Sequence, residues 1–559
     1  MPSFRAGALD RRQFLRAASA AAGGAAVSAL LPGWARSATP GLAAPGVLSG
    51  EDIRLSIGHA SHRVNGRAAH AVAINGTVPG PLVRLQEGRT VRLHVTNNLS
   101  EDTSIHWHGL LVPFQMDGVP GVSFPGIRPG ETFTYEFPVI QSGTYWYHSH
   151  SGLQEQMGHY APLVVDPAGA DPVAYDREHV VVLSDFSFTH PHTLFRRLKG
   201  QGGVFNFQKQ TVAGLLAGRD QTLAERVEWA KMRMDPTDIS DITGAAFEFL
   251  VNGHGPADNW TGLFTPGERV RLRVINAAAQ TIFNVRIPGL KLTVVSADGQ
   301  DVRPVEVDEF QIGNAETYDI IVTPAEDRAY TLVSEAVDRS GMGRATLAPR
   351  PGMTAPVPPL RARPLATMKD MGMDMSAGGA GGHAGHGPAA HGVDHTAHGG
   401  AAAAAVPGMA PPRVRGSDVM GHEMEMLDFS KAPQVKLGPG VQMIAPMPLD
   451  RTGEPGVGLE SVGHRVLVYR DLVALEPNPD SRAPSRAMEI RLTGNMERFM
   501  WGFDGKKFSE KPDPYVLGAG ERVRVTLVND TMMTHPIHLH GHFFELVHGP
   551  VGHMPRKHT

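Results

Sequence analysis

The chain reads as an all-β protein built from three related domains, and two observations carry that reading. The first is a repeated strand. Residues 87–97, 266–276 and 519–529 each run from a Gly turn (Gly88, Gly267, Gly520) through alternating polar and apolar positions to an Asn (Asn97, Asn276, Asn529). Gly and Asn stand nine residues apart each time. Alternation with turn punctuation marks a half-buried antiparallel strand, and recurrence on this scale marks duplicated domains. The second is composition. Gly (64) and Pro (44) are abundant, which favours the many turns of sheet structure. Short, evenly punctuated strands of this kind fold as a sandwich or a barrel.

Composition also removes some functions. The 559 residues are 41% hydrophobic and 19% charged, an ordinary globular balance. A net charge of -4 is too mild to point to nucleic acid or a membrane surface as partner. There is no cysteine, hence no disulfide, thiolate ligand or thiol nucleophile.

Taken in order, the chain opens on Asp10-Arg11-Arg12-Gln13-Phe14-Leu15-Arg16 and a Gly/Ala-rich apolar run from Ala17 to Leu31. Residues 1–38 read as a cleavable export signal. The adjacent arginines followed by Phe-Leu resemble a twin-arginine signal, which implies export of the folded protein by that machinery into the periplasm. The run is too short and too rich in Gly for a membrane span, so no anchor is expected after cleavage. Domain one is expected over 48–166 and domain two over 173–349, with an excursion from Arg196 to Met234 that has room for helices. A linker follows over 350–461, then domain three over 462–559.

The linker changes composition. Met368, Met371, Met373 and Met375 precede His383, His386, His391, His395 and His398 in a Gly/Ala background, and Met420, His422, Met424 and Met426 close the segment. Gly/Ala tracts cannot build a core. Scattered methionines ordinarily fill gaps in a core, and a loose tether offers none to fill. Thioethers select Cu(I), and imidazole accepts either copper oxidation state. The segment therefore reads as copper capture. Zinc or nickel would account for its histidines but not its methionines.

The strongest chemical signal is a set of histidine pairs. His106-Trp107-His108, His148-Ser149-His150 and His538-Leu539-His540 each place two imidazoles on one face of a strand. His106 and His108 stand nine and eleven residues after Asn97, and His538 and His540 stand at the same offsets from Asn529. The same offsets from Asn276 fall on Val285 and Ile287. The outer domains thus carry ligands at equivalent positions, and a metal site is expected at their interface with the middle domain as a spacer.

Three stretches, His106-Trp107-His108-Gly109, Tyr145-Trp146-Tyr147-His148-Ser149-His150 and His535-Pro536-Ile537-His538-Leu539-His540-Gly541-His542, resemble three of the four copper motifs of multicopper oxidases. With the leader, the Met/His linker and Asn529-Asp530-Thr531-Met532-Met533-Thr534-His535, the chain is similar to the periplasmic copper-resistance protein A family. The resemblance implies cupredoxin-like Greek-key domains, a type 1 copper that accepts electrons, and a trinuclear cluster that reduces dioxygen to water. By position it implies type 2 ligands His106 and His538, and type 3 ligands His108, His148, His150 and His540. It further implies a type 1 ligand in His535 and a proton-feeding acid in Asp117. An Asp before Gly118 is equally at home as a simple turn residue. The aromatics Trp107, Tyr145, Trp146 and Tyr147 read as core shielding the cluster.

The family's fourth motif, His-Cys-His, has no counterpart here. By the spacing in domain one, its position in domain three lies beyond Thr559, so the third domain is expected to be truncated. His553 and His558 do not restore the motif and read as exposed tail residues. A blue-copper centre needs its thiolate. The parent activity implied is oxidation of Cu(I), or of phenols, by dioxygen. The 559-residue chain itself is expected to bind copper without turnover. The alternatives weighed are a natural copper-sequestering protein and a copper-free scaffold, the last opposed by the retained histidines.

Overall fold

The computed structural model describes residues 46–372, 435–548 and 552–559. The expected leader lies outside the described residues. So do Met373, Met375, His383, His386, His391, His395, His398, Met420, His422, Met424 and Met426.

The repeated strand does the same job three times. The strands Thr90–Asn97, Val270–Asn276 and Val523–Asn529 each pair in parallel with an early strand of their own domain, Asp52–Val64, Arg177–Phe186 and Arg486–Asn495. Ile57 faces Asn97, Leu183 faces Asn276 and Leu492 faces Asn529. The first two pair antiparallel on their other side, with Thr132–Pro138 and Thr317–Val322. The antiparallel expectation therefore holds for one edge only. In the first two domains the chain passes through the opposite sheet, as Leu82–Gln86 and Trp260–Leu263, before the repeated strand begins.

The Asn at the strand end has a physical reason. Asn97 Oδ1 accepts from Leu99 N (2.8 Å), and its Nδ2 donates to the carbonyls of Glu101 and Ile127 (both 2.8 Å). Asn276 likewise accepts from Ala278 N (3.0 Å) and donates to the Thr281 and Ile312 carbonyls (2.9 and 3.1 Å). Asn529 accepts from Thr531 N (2.9 Å) and donates to the Met533 carbonyl (2.7 Å). Each amide closes the turn that ends its strand, a local role suited to Asn. The turn in turn sets where the chain goes next, which in the outer domains is a histidine pair.

In domain one, two sheets enclose one core. Ile53, Leu55 and Ile57 of the strand Asp52–Val64 meet Val83, Leu85, Leu163 and Val165 of the facing sheet. The middle domain has six- and five-stranded sheets around a second core. Its excursion holds the helices Pro191–Gly200, Val212–Leu216 and Leu223–Lys231, the last opened by a capping box of Thr222 and Glu225. Residues 462–475, expected in domain three, pack on the middle domain instead. Val466 bridges to Glu309 and Ala474 to Val302, and Leu467 and Leu472 join its core.

Domains one and two are tied by buried ions. Arg273 donates to Glu178 (2.7 Å), Asp319 (2.9 Å) and Thr144 (2.8 Å), and Arg84 of domain one reaches Glu178 at 2.6 Å. Such a network is costly to break, because one lost partner leaves a buried charge unpaired.

Domain three holds the three-stranded sheet Met500–Phe503, Arg486–Asn495, Val523–Asn529 and a short pair, Phe544–Glu545 with Arg556–Lys557. Val525 and Leu527 are exposed, although their counterparts Leu93, Val95, Leu272 and Val274 are buried. Residues 534–540, expected as a strand, belong to no ladder. His106–His108 is held as a strand by Gly143–His148. Among the described residues nothing plays that part for 534–540.

Asn276→Ala removes three hydrogen bonds from a fully buried turn. It should cost about 2–3 kcal/mol, read as a lower urea midpoint for unfolding of the middle domain.

Candidate metal centre

The strand pairing brings the first two histidine pairs together. His106 lies opposite His148, Trp107 opposite Tyr147 and His108 opposite Trp146. The segment 535–542 of domain three closes over them. His108 and His538 stack with centroids 3.8 Å apart, and His106 and His540 lie 4.1 Å apart. His148 is 5.5 Å from both His106 and His108, and the exposed His150 is 5.2 Å from His540. One ring nitrogen from each of His106, His108 and His538 lies within 4.8 Å of the others. The same limit holds His106, His540 and an oxygen of Asp117 together.

The hydrogen bonds decide which nitrogen is free. His106 donates its Nδ1–H to the Asp117 carbonyl (2.7 Å), and His538 donates to the His558 carbonyl (2.6 Å). His148 donates to the Ser149 carbonyl (3.0 Å) with Glu155 Oε2 at 3.1 Å, and His540 donates to Asp117 Oδ2 (2.8 Å). A carbonyl or carboxylate oxygen accepts here, so Nδ1 carries the proton and Nε2 keeps its lone pair; that of His148 faces His108 Nδ1 at 3.3 Å, and His108 Nε2 lies 3.2 Å from Thr559 Oγ1. Burial, reinforced by the neighbouring histidines, pushes the proton affinities of His106 and His108 well down and that of His538 to about 3. These rings are neutral at pH 7, the state a metal ligand requires.

Two glycines make the packing possible. Gly118, at φ 83°, lies so close to the Ile105 carbonyl that a Cβ there would sit 1.8 Å from its oxygen. Only glycine allows that approach, and the Asp117 carbonyl just before it meets His106. At Gly109, also at φ 83°, a Cβ would meet the His558 ring at 2.6 Å.

His558 was read from the sequence as an exposed tail residue. It is fully buried, 4.9 Å from His108 and 5.7 Å from His538 between centroids. The anchor is the middle domain. Asp298 accepts from the backbone N–H of His558 (3.2 Å) and Thr559 (3.1 Å). The Lys557 ammonium sits 3.1 Å from Asp298 and 2.7 Å from Glu316. Burial opposes its charge, but the two carboxylates outweigh burial and raise its proton affinity. The middle domain is therefore more than a spacer, because it positions the carbonyl that orients His538. A lone Lys-His-Thr carries no periodicity or motif, so no sequence signal marked it.

His535 stands apart from these rings. Its Nε2 lies 2.7 Å from Thr531 Oγ1, its ring meets Trp501 edge-on at 5.0 Å, and burial lowers its pKa to about 4. Near it, Met371, Met496, Met532 and Met533 are buried with Trp229, and Met232, Met234, Met368 and Met443 pack around them. Met368 and Met371 were expected on a loose tether. They instead fill the seam between domains two and three, because their thioethers conform to an irregular gap beside two indoles.

The donor set fits copper. It consists of neutral imidazole nitrogens, and the Nε2 atoms of His106 and His538 are buried with no protein partner among the described residues. A buried acceptor left so is costly unless a ligand completes it.

Comparison with known proteins gives the same direction. Family profiles described as multicopper oxidase match residues 57–170, 178–352 and 481–558. The chain is 45% identical to copper resistance protein A of Escherichia coli, over 98% of this chain and 92% of that one. It is 46% identical to a copper resistance protein A homolog of Pseudomonas syringae pv. tomato, over 94% and 88%. Multicopper oxidase MmcO of Mycobacterium tuberculosis is 28% identical over 89% and 76%.

His106→Ala and His538→Ala should each remove the same copper ion, since their free nitrogens converge. Metal analysis of the two single variants and the double should find the double no poorer in copper than either single. A further ion lost in the double would mean that the two residues serve different sites.

Proposed function

The chain belongs to the multicopper oxidase family, and from that premise we propose that it serves copper resistance in the periplasm, with Cu(I) as substrate and dioxygen as acceptor. Two relatives bear copper resistance in their names. The observation that carries the reading is the convergence of six imidazoles from domains one and three, several with Nε2 left free.

Copper held there supplies one-electron transfer between a reduced substrate and dioxygen. His106, His108 and His538 would hold it through nitrogens within 4.8 Å of one another, with His148, His150 and His540 around them. Reducing dioxygen to water consumes protons as well as electrons. Asp117 suits the delivery of protons. Its Oδ2 holds the His540 Nδ1–H, and its Oδ1 is buried without a hydrogen bond among the described residues. That oxygen is the atom at which a proton is taken up and released.

For Cu(I) capture we assign the thioethers and imidazoles of residues 368–426, with Met368 and Met371 as the part that reaches the protein body near His535. Periplasmic delivery rests on the twin-arginine pattern at Arg11-Arg12.

A second reading, copper sequestration without turnover, is favoured by one observation: the 559 residues contain no cysteine. Electron entry in this family runs through a thiolate-bound copper. On this second reading the 559-residue chain holds copper, lacks intense blue absorption and shows negligible dioxygen uptake with Cu(I) or a phenol, whereas the first reading requires sustained uptake. Oxygen-electrode traces of the purified, copper-loaded chain test this, and sustained uptake would overturn it.

Deleting residues 373–426 should lower the Cu(I) stoichiometry in a chelator competition and leave thermal unfolding unchanged. An unaltered stoichiometry would remove the capture role.

A further inference from the structure

A cleft of about 410 Å3 lies in the middle domain, lined by residues 208–220, Arg339 and the chain at 361–363. Its wall is strongly basic: Lys209, Arg219, Arg339, Arg361 and Arg363 face one carboxylate, Asp220. Two more carboxylates stand behind the wall. Arg361 is spent on them, donating to Glu335 (2.6 Å) and to both oxygens of Glu309 (2.9 and 2.5 Å). Arg286 lies 3.5 and 3.3 Å from the same two acids. Asp238 stands near Lys209 and Asp338 beside Arg339, so six cations stand against five carboxylates and a small positive excess remains.

Two guanidinium groups have donors to spare. Arg339 pairs through Nη1 with Glu335 and donates from Nη2 to the Gly458 carbonyl (2.7 Å). Arg363 donates from Nη2 to Asp220 (2.7 Å). Arg339 Nε and Arg363 Nη1 are buried with no partner among the described residues. The Arg339 side chain is only 2% exposed. Buried N–H groups of a charged side chain are rarely left so, and at a charged group the cost is greater. Burial, and then the charge of Arg361, lower the proton affinity of Arg339 despite its pairing with Glu335. Arg339 also holds φ 63°, a backbone state uncommon for a residue with a side chain.

The loop is set in advance. Arg226 donates to the Gln221 carbonyl (3.0 Å) and the Thr211 carbonyl (2.8 Å), and Thr211 Oγ1 accepts from Gly214 N (3.0 Å). These bonds hold 211–221 in place without using any of the spare donors.

We propose that this cleft binds a small multivalent oxyanion of the phosphate class, held by the spare donors of Arg339 and Arg363 with Lys209 and Arg219 at the rim. A tetrahedral dianion offers acceptors in several directions, which matches donors dispersed over separate side chains. A monocarboxylate offers acceptors in one plane and one charge. Guanidinium–phosphate hydrogen bonds are charge-assisted and strong. The site is independent of the imidazoles and rests on none of the copper chemistry.

The test is calorimetric titration of the full chain at low ionic strength, with inorganic phosphate in one arm and glycerol phosphate in the other. One saturable site is expected in at least one arm, weakened by added sodium chloride. Tighter binding of the inorganic ion identifies free phosphate as the ligand, and tighter binding of the ester identifies a phosphate monoester. Arg363→Gln should weaken binding about tenfold, a loss of about 1.4 kcal/mol. Arg219→Gln, at an exposed rim position, should weaken it without touching any buried pair. Both variants should keep the wild-type copper content, and Arg219→Gln should also keep the wild-type melting temperature. Absence of saturable binding in both arms, or unchanged affinity in both variants, would overturn the proposal.

Discussion

A buried imidazole can hold a metal only if it is neutral and one nitrogen keeps a free lone pair. That constraint organises the structure. Desolvation makes the rings neutral, as the depressed proton affinities of His106, His108 and His538 show. Acceptors placed by the fold then select the nitrogen. The Asp117 carbonyl, the His558 carbonyl, the Ser149 carbonyl and the Asp117 carboxylate each take a ring N–H. Fixing the outer nitrogen in this way also fixes ring orientation.

Those acceptors come from all three domains' architecture. Asp117 sits where Gly118 can press against the Ile105 carbonyl. His558 sits where Asp298 and Glu316 of the middle domain bind the stretch 557–559. The middle domain has apolar Val285 and Ile287 where the outer domains have paired histidines, so it supplies no imidazole there. It contributes by holding the chain that orients one.

Much of this was legible from spacing. The Gly-to-Asn interval identified three equivalent strands, and the fixed offset from Asn identified which of them lead into a histidine pair. Both follow from local causes: an amide that closes the turn two residues on, and a loop of set length after it. The partners of the ligands were not legible. Lys557 is 259 residues from Asp298 in sequence and 241 from Glu316. Nothing local distinguishes such a lysine from a solvated one. Met371 shows the opposite error, since a reading of the stretch by composition did not register the two indoles it packs beside. The basic cleft is equally silent in sequence, because its arginines come from three separated stretches.

The central claim is that copper is held between the histidine pairs of domains one and three. Anomalous diffraction at the copper absorption edge, on crystals of the copper-loaded chain, tests it most directly. The account predicts an anomalous peak among the rings of His106, His108 and His538, with His106 Nε2 and His538 Nε2 toward it. Peaks confined to the methionine-rich seam or the protein surface, with none among these rings, would contradict it.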